Sequence, residues 1–173
     1  MSKIYIVLTY SGTLLSKLVR IYTQKEYSHV SISLDENLKH MYSFGRLNPY
    51  VPFFAGFVQE SPKYGTFKRF SKTKTKIYSL EVDERQYEKI SKIIKKIDLD
   101  KKSYRFNIIG LFAVALHLKI KRERHFYCAE FVKYVLDNSN LQIELPEIIK
   151  PEDFANIEGC REVYTGMLND YNN

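Results

Sequence analysis

The chain has 173 residues, enough for one domain with a hydrophobic core of its own and too few for several. An apolar fraction of 45%, with 14 Tyr and 11 Phe against 7 Gly and 5 Pro, excludes a disordered or low-complexity polypeptide. A formal net charge of +7 leaves nucleic acid or an anionic membrane surface open as partners, but the lysines also read as solvated faces, and no nucleic-acid-binding motif accompanies them.

The N-terminus carries one charge, at Lys3, and an apolar run too short for a secretory signal, so residues 3–9 read as a first strand. Ser11-Gly12-Thr13 supplies a helix cap, after which Leu14, Leu15, Leu18, Val19, Ile21 and Tyr22 fall on one broad helical face. From His29 the pattern alternates, with Val30, Ile32 and Leu34 apolar and His29, Ser31 and Ser33 polar, as in a half-buried strand. A turn at Asp35-Glu36-Asn37 then leads to a second strand over residues 39–44. A two-residue hairpin at Glu36-Asn37 would pair His40 with Ser33, on the face of His29. A three-residue turn would put Met41 and Ser43 there instead.

Residues 45–67 form a long irregular stretch in which Pro49, Pro52, Gly56, Pro62 and Gly65 interrupt Tyr50, Phe53, Phe54, Phe57 and Tyr64. Such loops serve as lids or binding walls, or pack down as anchors. Residues 75–82 read as another strand, and Asp83 with Gln86 opens a helix whose stripe is Tyr87, Ile90, Ile94 and Ile97. A charged linker over 98–105 precedes the run 106–118, which is apolar nearly all round and predicts a short helix buried in the core. That run is about half the length a membrane span needs, so the chain is expected to be cytoplasmic with no transmembrane segment. A helix opening at Cys128, a turn with Pro146 and Pro151, and a closing strand over 162–168 complete the chain. No linker divides it, and residues 1–173 read as a single domain.

Cys128 and Cys160 are the only cysteines. Two thiols make neither a disulfide scaffold nor a zinc quartet, so no metal and no cofactor are expected. Cys128 stands at the start of a helix whose apolar positions are Phe131, Val132, Val135 and Leu136. Unpaired N–H groups and the helix dipole favour an anion there, and the thiolate is the nucleophile. A nucleophilic cysteine also needs an imidazole base and a third group to orient the ring. Of the four histidines, His29 is best placed, at the polar start of a strand after the small Ser28. His117 and His125 read as helix-flanking or packing residues, Cys160 as structural. The bland alternative for Cys128 is a small core residue.

Tyr27-Ser28-His29-Val30-Ser31-Ile32-Ser33-Leu34, the return strand His40-Met41-Tyr42-Ser43-Phe44-Gly45-Arg46, and Phe126-Tyr127-Cys128-Ala129-Glu130-Phe131-Val132 resemble the circularly permuted NlpC-type, papain-like cysteine hydrolases, a branch that includes bacterial YiiX-like proteins and lecithin:retinol acyltransferase-like enzymes. The resemblance implies an α+β papain-like domain, an antiparallel sheet or partly open barrel with the cysteine helix packed against it. It implies Cys128 as nucleophile, His29 as general base and His40 as the third polar residue, with Tyr42 and Ser43 as alternatives, and a helix-stabilising role for Glu130. The expected activity is hydrolysis of an amide, peptide or acyl ester through a thioester. A lipid-directed acyl transfer, or a non-catalytic module binding nucleic acid or anionic lipid, are the alternatives.

Overall fold

An uninterrupted apolar run such as Ile4-Tyr5-Ile6-Val7-Leu8 needs cover on both faces of any sheet it enters. The computed structural model describes residues 1–51 and 54–171, and of Ala115 only the backbone. It places this run in β1 (Ser2–Tyr10), inside a six-stranded sheet. After β1 come α1 (Leu14–Thr23), β2 (His29–Ser33), β3 (Met41–Arg46), β4 (Ala55–Glu60) and the short α2 (Gly65–Arg69). Then follow β5 (Lys74–Val82), α3 (Glu84–Leu99), β6 (Arg105–Phe106), α4 (Ile108–Ala113), β7 (His125–Phe126), α5 (Cys128–Asp137) and β8 (Arg161–Met167). The strand order is β4-β3-β2-β1-β5-β8, every neighbouring pair antiparallel. The sheet is open and does not close into a barrel. β6 and β7 form a separate parallel pair.

Strand alternation divides the cover. Ile4, Ile6, Leu8, Val30, Ile32, Phe44 and Leu80 pack with Ile90 and Ile94 of α3 and with Phe131, Val132 and Val135 of α5. Tyr5, Val7, Met41 and Ile77 face the other way, onto Leu38, Phe67 of α2 and Leu168. Each fully buried aliphatic side chain contributes about 1.5–3 kcal/mol, so the larger first layer fixes α5 on the sheet. The helix starts are capped as their sequences require: Thr13 Oγ1 accepts from Ser16 N, and Asp83 and Gln86 cap each other's backbone N–H groups.

Three expectations are corrected. The β2–β3 register is Ser33 with Met41 and Ile32 with Tyr42, so Met41 and Ser43, not His40, share the face of His29. The cause is a long, pinned turn. Asp35 carboxylate oxygens accept from the N–H groups of Lys39 and His40, and Leu38, at φ +52°, turns its side chain fully into the second layer. Lys39 and His40 are thereby used up in the turn.

Second, the irregular stretch contains β4, paired along its whole length with β3, and α2; Pro52 and Phe53 lie outside the described residues. Third, the apolar run 106–118 is not a buried core helix. Asn107 caps α4, the segment ends at His117 with φ +55°, and Ile109, Phe112, Leu116 and Leu118 are exposed. Among the described residues, no helix is long and apolar enough to cross a membrane.

Candidate active site

The antiparallel register brings the end of β1, the start of β2, the end of β3 and the start of β4 to one end of the sheet: Thr9 pairs with His29, and Arg46 with Ala55. A narrow cleft of about 70 Å³ opens there, lined by Thr9, Ser28, His29, Gly45, Arg46, Phe67 and Cys128, with Thr13, Leu15 and Ser16 of α1 and Leu111 of α4 alongside.

Cys128 is the first residue of α5 and is buried. Its position is fixed by its neighbours. Glu130 Oε2 accepts from Tyr127 N and from Asn107 Nδ2, both at 3.1 Å, and Asn107 Oδ1 accepts from Gly110 N at 3.0 Å. One carboxylate thus ties the first turn of α5 to the cap of α4. Burial pushes the Glu130 carboxyl up despite these bonds. Tyr127 OH donates to Ile149 O at 3.0 Å, which anchors the residue before the cysteine. Glu130 thereby occupies the helix-stabilising place expected of it.

His29 meets a carboxylate that the sequence did not single out. Its Nε2 lies 3.0 Å from Glu60 Oε2, at the end of β4, and Ser31 Oγ donates to the same oxygen at 2.6 Å. His29 and Cys128 line the same cleft, and the thiol is among the groups that act on the ring. With Nε2 turned to Glu60, Nδ1 is the ring nitrogen left for the thiol. Burial lowers the affinity of the ring for a proton. The charge and hydrogen bond of Glu60, with the Cys128 thiol nearby, outweigh it and push His29 up to about 10.

Small residues on β3 make this contact possible. Gly45 stands across from His29, and a Cβ there would lie 3.2 Å from both His29 Cε1 and Glu60 Oε1. Ser43 Oγ donates to Val30 O at 2.7 Å and so leaves the face clear.

The other titratable candidates lie elsewhere. His40 is exposed, and its Nδ1 bonds Gln59 Nε2. Tyr42 stacks on Phe57 with ring centroids 6.2 Å apart, and the Ser43 hydroxyl is spent on Val30. None of the three expected orienting residues hydrogen-bonds His29; Glu60 does. His117 is exposed at a helix end, and His125 Nδ1 bonds Glu123 O at 2.6 Å. Both cysteines are free, and burial alone pushes the Cys160 thiol up to about 11. Among the described residues, no three His, Cys, Asp or Glu side chains are grouped to hold a metal ion.

Comparison with protein-family models and with curated proteins finds no match.

Proposed function

We propose that this chain is a cysteine hydrolase of the permuted NlpC-type, papain-like class, acting on an amide, peptide or acyl ester, with Cys128 as nucleophile, His29 as base and Glu60 in the orienting place first given to His40. The observation that carries the reading is the imidazole of His29, bonded to the Glu60 carboxylate, in the same cleft that Cys128 lines at the start of α5. A purely structural cysteine has no need of such a pair, and a pure binding module has none either.

The steps follow from that geometry. Cys128 gives its proton to His29, and the imidazolium is stabilised by Glu60. The thiolate attacks the substrate carbonyl carbon, and the backbone N–H of Cys128 donates to the oxyanion. The intermediate collapses as the C–N or C–O bond breaks, and the leaving group takes the proton from His29. The acyl group is then a thioester on Cys128. Water, deprotonated by His29, attacks it, and the carboxylic acid and the thiol are released. An amine or alcohol in place of water would give acyl transfer.

The test is to trap the thioester. Incubation with an activated ester such as p-nitrophenyl acetate is expected to acetylate the Cys128-bearing peptide in a hydroxylamine-sensitive way in the parent, and not in Cys128→Ala. Equal acetylation of Cys160, or none at Cys128, would remove the reading.

A further inference from the structure

The cleft holds a cation with no anion of its own. Arg46, the last residue of β3, is half-buried in the cleft that Cys128 and His29 line. Its Nη2 donates to Thr13 Oγ1 at 3.2 Å, and its guanidinium lies 5.0 Å from the centre of the Phe70 ring. Those two contacts aim the head group but leave its charge unmatched. Among the described residues, no carboxylate oxygen comes within 4.0 Å of it. Glu60 lies near enough to be felt, yet its Oε2 is committed to His29 and Ser31.

A second group in the cleft is also unsatisfied. Ser28 is 6% exposed, and its Oγ has no hydrogen-bond partner among the described residues. Leaving a buried hydroxyl unpaired is unfavourable, and leaving a partly buried cation unmatched is more so. Both costs are met when a ligand brings an acceptor with negative charge.

We propose that Arg46 and the Ser28 hydroxyl form a carboxylate-recognition subsite, so that the substrate is an amide or ester carrying a carboxylate a few bonds from its scissile carbonyl. The inference rests on Cys128 being the nucleophile of this cleft. A carboxylate is favoured over a phosphate because it is planar and matches the planar fork of the guanidinium. The narrow cleft favours the smaller group as well.

Two alkylating reagents test this without knowledge of the substrate. Iodoacetate and iodoacetamide form the same S–C bond with loss of iodide, and differ only in carrying a carboxylate or a carboxamide. The quantity read is the ratio of their rates at the Cys128-bearing peptide, against the ratio for glutathione, so changes in thiol reactivity common to both reagents cancel. The parent ratio is expected to exceed that of glutathione by roughly tenfold to a hundredfold, the worth of a charge-assisted hydrogen bond. Arg46→Gln should remove most of that excess while His29 remains in place, and Arg46→Lys should keep part of it. The same ratio in the parent and in Arg46→Gln overturns the subsite.

If Arg46→Gln does not fold, protection of the parent decides. Acetate should slow alkylation of Cys128 by iodoacetamide, whereas acetamide at equal concentration should not. No protection by acetate overturns the subsite, and inorganic phosphate protecting at lower concentration than acetate overturns its assignment to a carboxylate. A Cys128 that reacts no faster than glutathione with either reagent overturns the nucleophile reading itself, and the subsite with it.

Discussion

The two cysteines of this chain have opposite surroundings. Cys128 opens a helix and shares its cleft with an imidazole that is itself paired with a carboxylate. Cys160 is half-buried, and its thiol is held up at about 11 by burial alone. The same functional group is thus offered a proton acceptor in one place and only desolvation in the other. Burial by itself makes a thiol inert; burial beside a positioned base makes it a nucleophile.

The largest effect expected is the collapse of that contrast. Replacing His29 by Ala removes the imidazole from the cleft of Cys128, and alkylation of Cys128 at neutral pH should fall by about 10²-fold or more, the low end of what a positioned base contributes. A fall of less than threefold by peptide mass spectrometry would count against the pairing. Glu60→Gln keeps a hydrogen-bond acceptor but removes the charge that raises His29. One unit of lost proton affinity corresponds to about tenfold in reactivity, and an effect of that size is expected. His40→Ala, at the exposed bond to Gln59, should leave the rate within about twofold, as a surface substitution does. A larger loss at His40 than at Glu60 would reverse the assignment of the two.

Gly45→Ala sharpens the comparison through space alone. The added methyl would meet His29 and Glu60 at 3.2 Å, and both are pinned by their bond to each other and to Ser31. A loss of about 1–3 kcal/mol in urea unfolding is expected, with slower alkylation of Cys128 and no change at Cys160. An unchanged midpoint would mean that the pair yields freely.

A further effect concerns pH. The folded His29 holds its proton up to about 10, and an unfolded histidine holds it only to about 6.5. The contribution of His29 is therefore fully present below about 6.5. It is lost as pH rises to about 10, because over that window the folded state binds the extra proton. Stability of the parent should decline across that window, and His29→Asn should flatten the decline. A parent that gains stability over the same range would contradict the raised proton affinity.

Much of this was legible beforehand. Thr13 and the Asp83–Gln86 pair announced α1 and α3, the alternation from Val30 announced β2, and the stripe from Phe131 to Leu136 announced the helix behind Cys128. Glu60 was not legible. It ends a six-residue strand embedded among prolines and glycines, and its approach to His29 depends on the β3–β4 pairing, which no local pattern encodes. The apolar pair Phe57-Val58 after Gly56 was the only trace of it. His40 was misplaced because the turn before it is fixed by Asp35 and the buried Leu38, contacts that depend on the folded core. The apolar run 106–118 misled for a related reason: hydrophobicity on every side does not say which residues a capped, abruptly ended helix leaves at the rim.

The most direct measurement is a pH series of iodoacetamide alkylation that follows both cysteines of the folded protein by peptide mass spectrometry. Cys128 should be labelled at neutral pH far faster than Cys160, whose labelling should rise only as the pH approaches about 11. Cys128 should lose that lead in His29→Ala. Two cysteines that rise together along one curve, unchanged by the loss of His29, would contradict a base-activated nucleophile at Cys128.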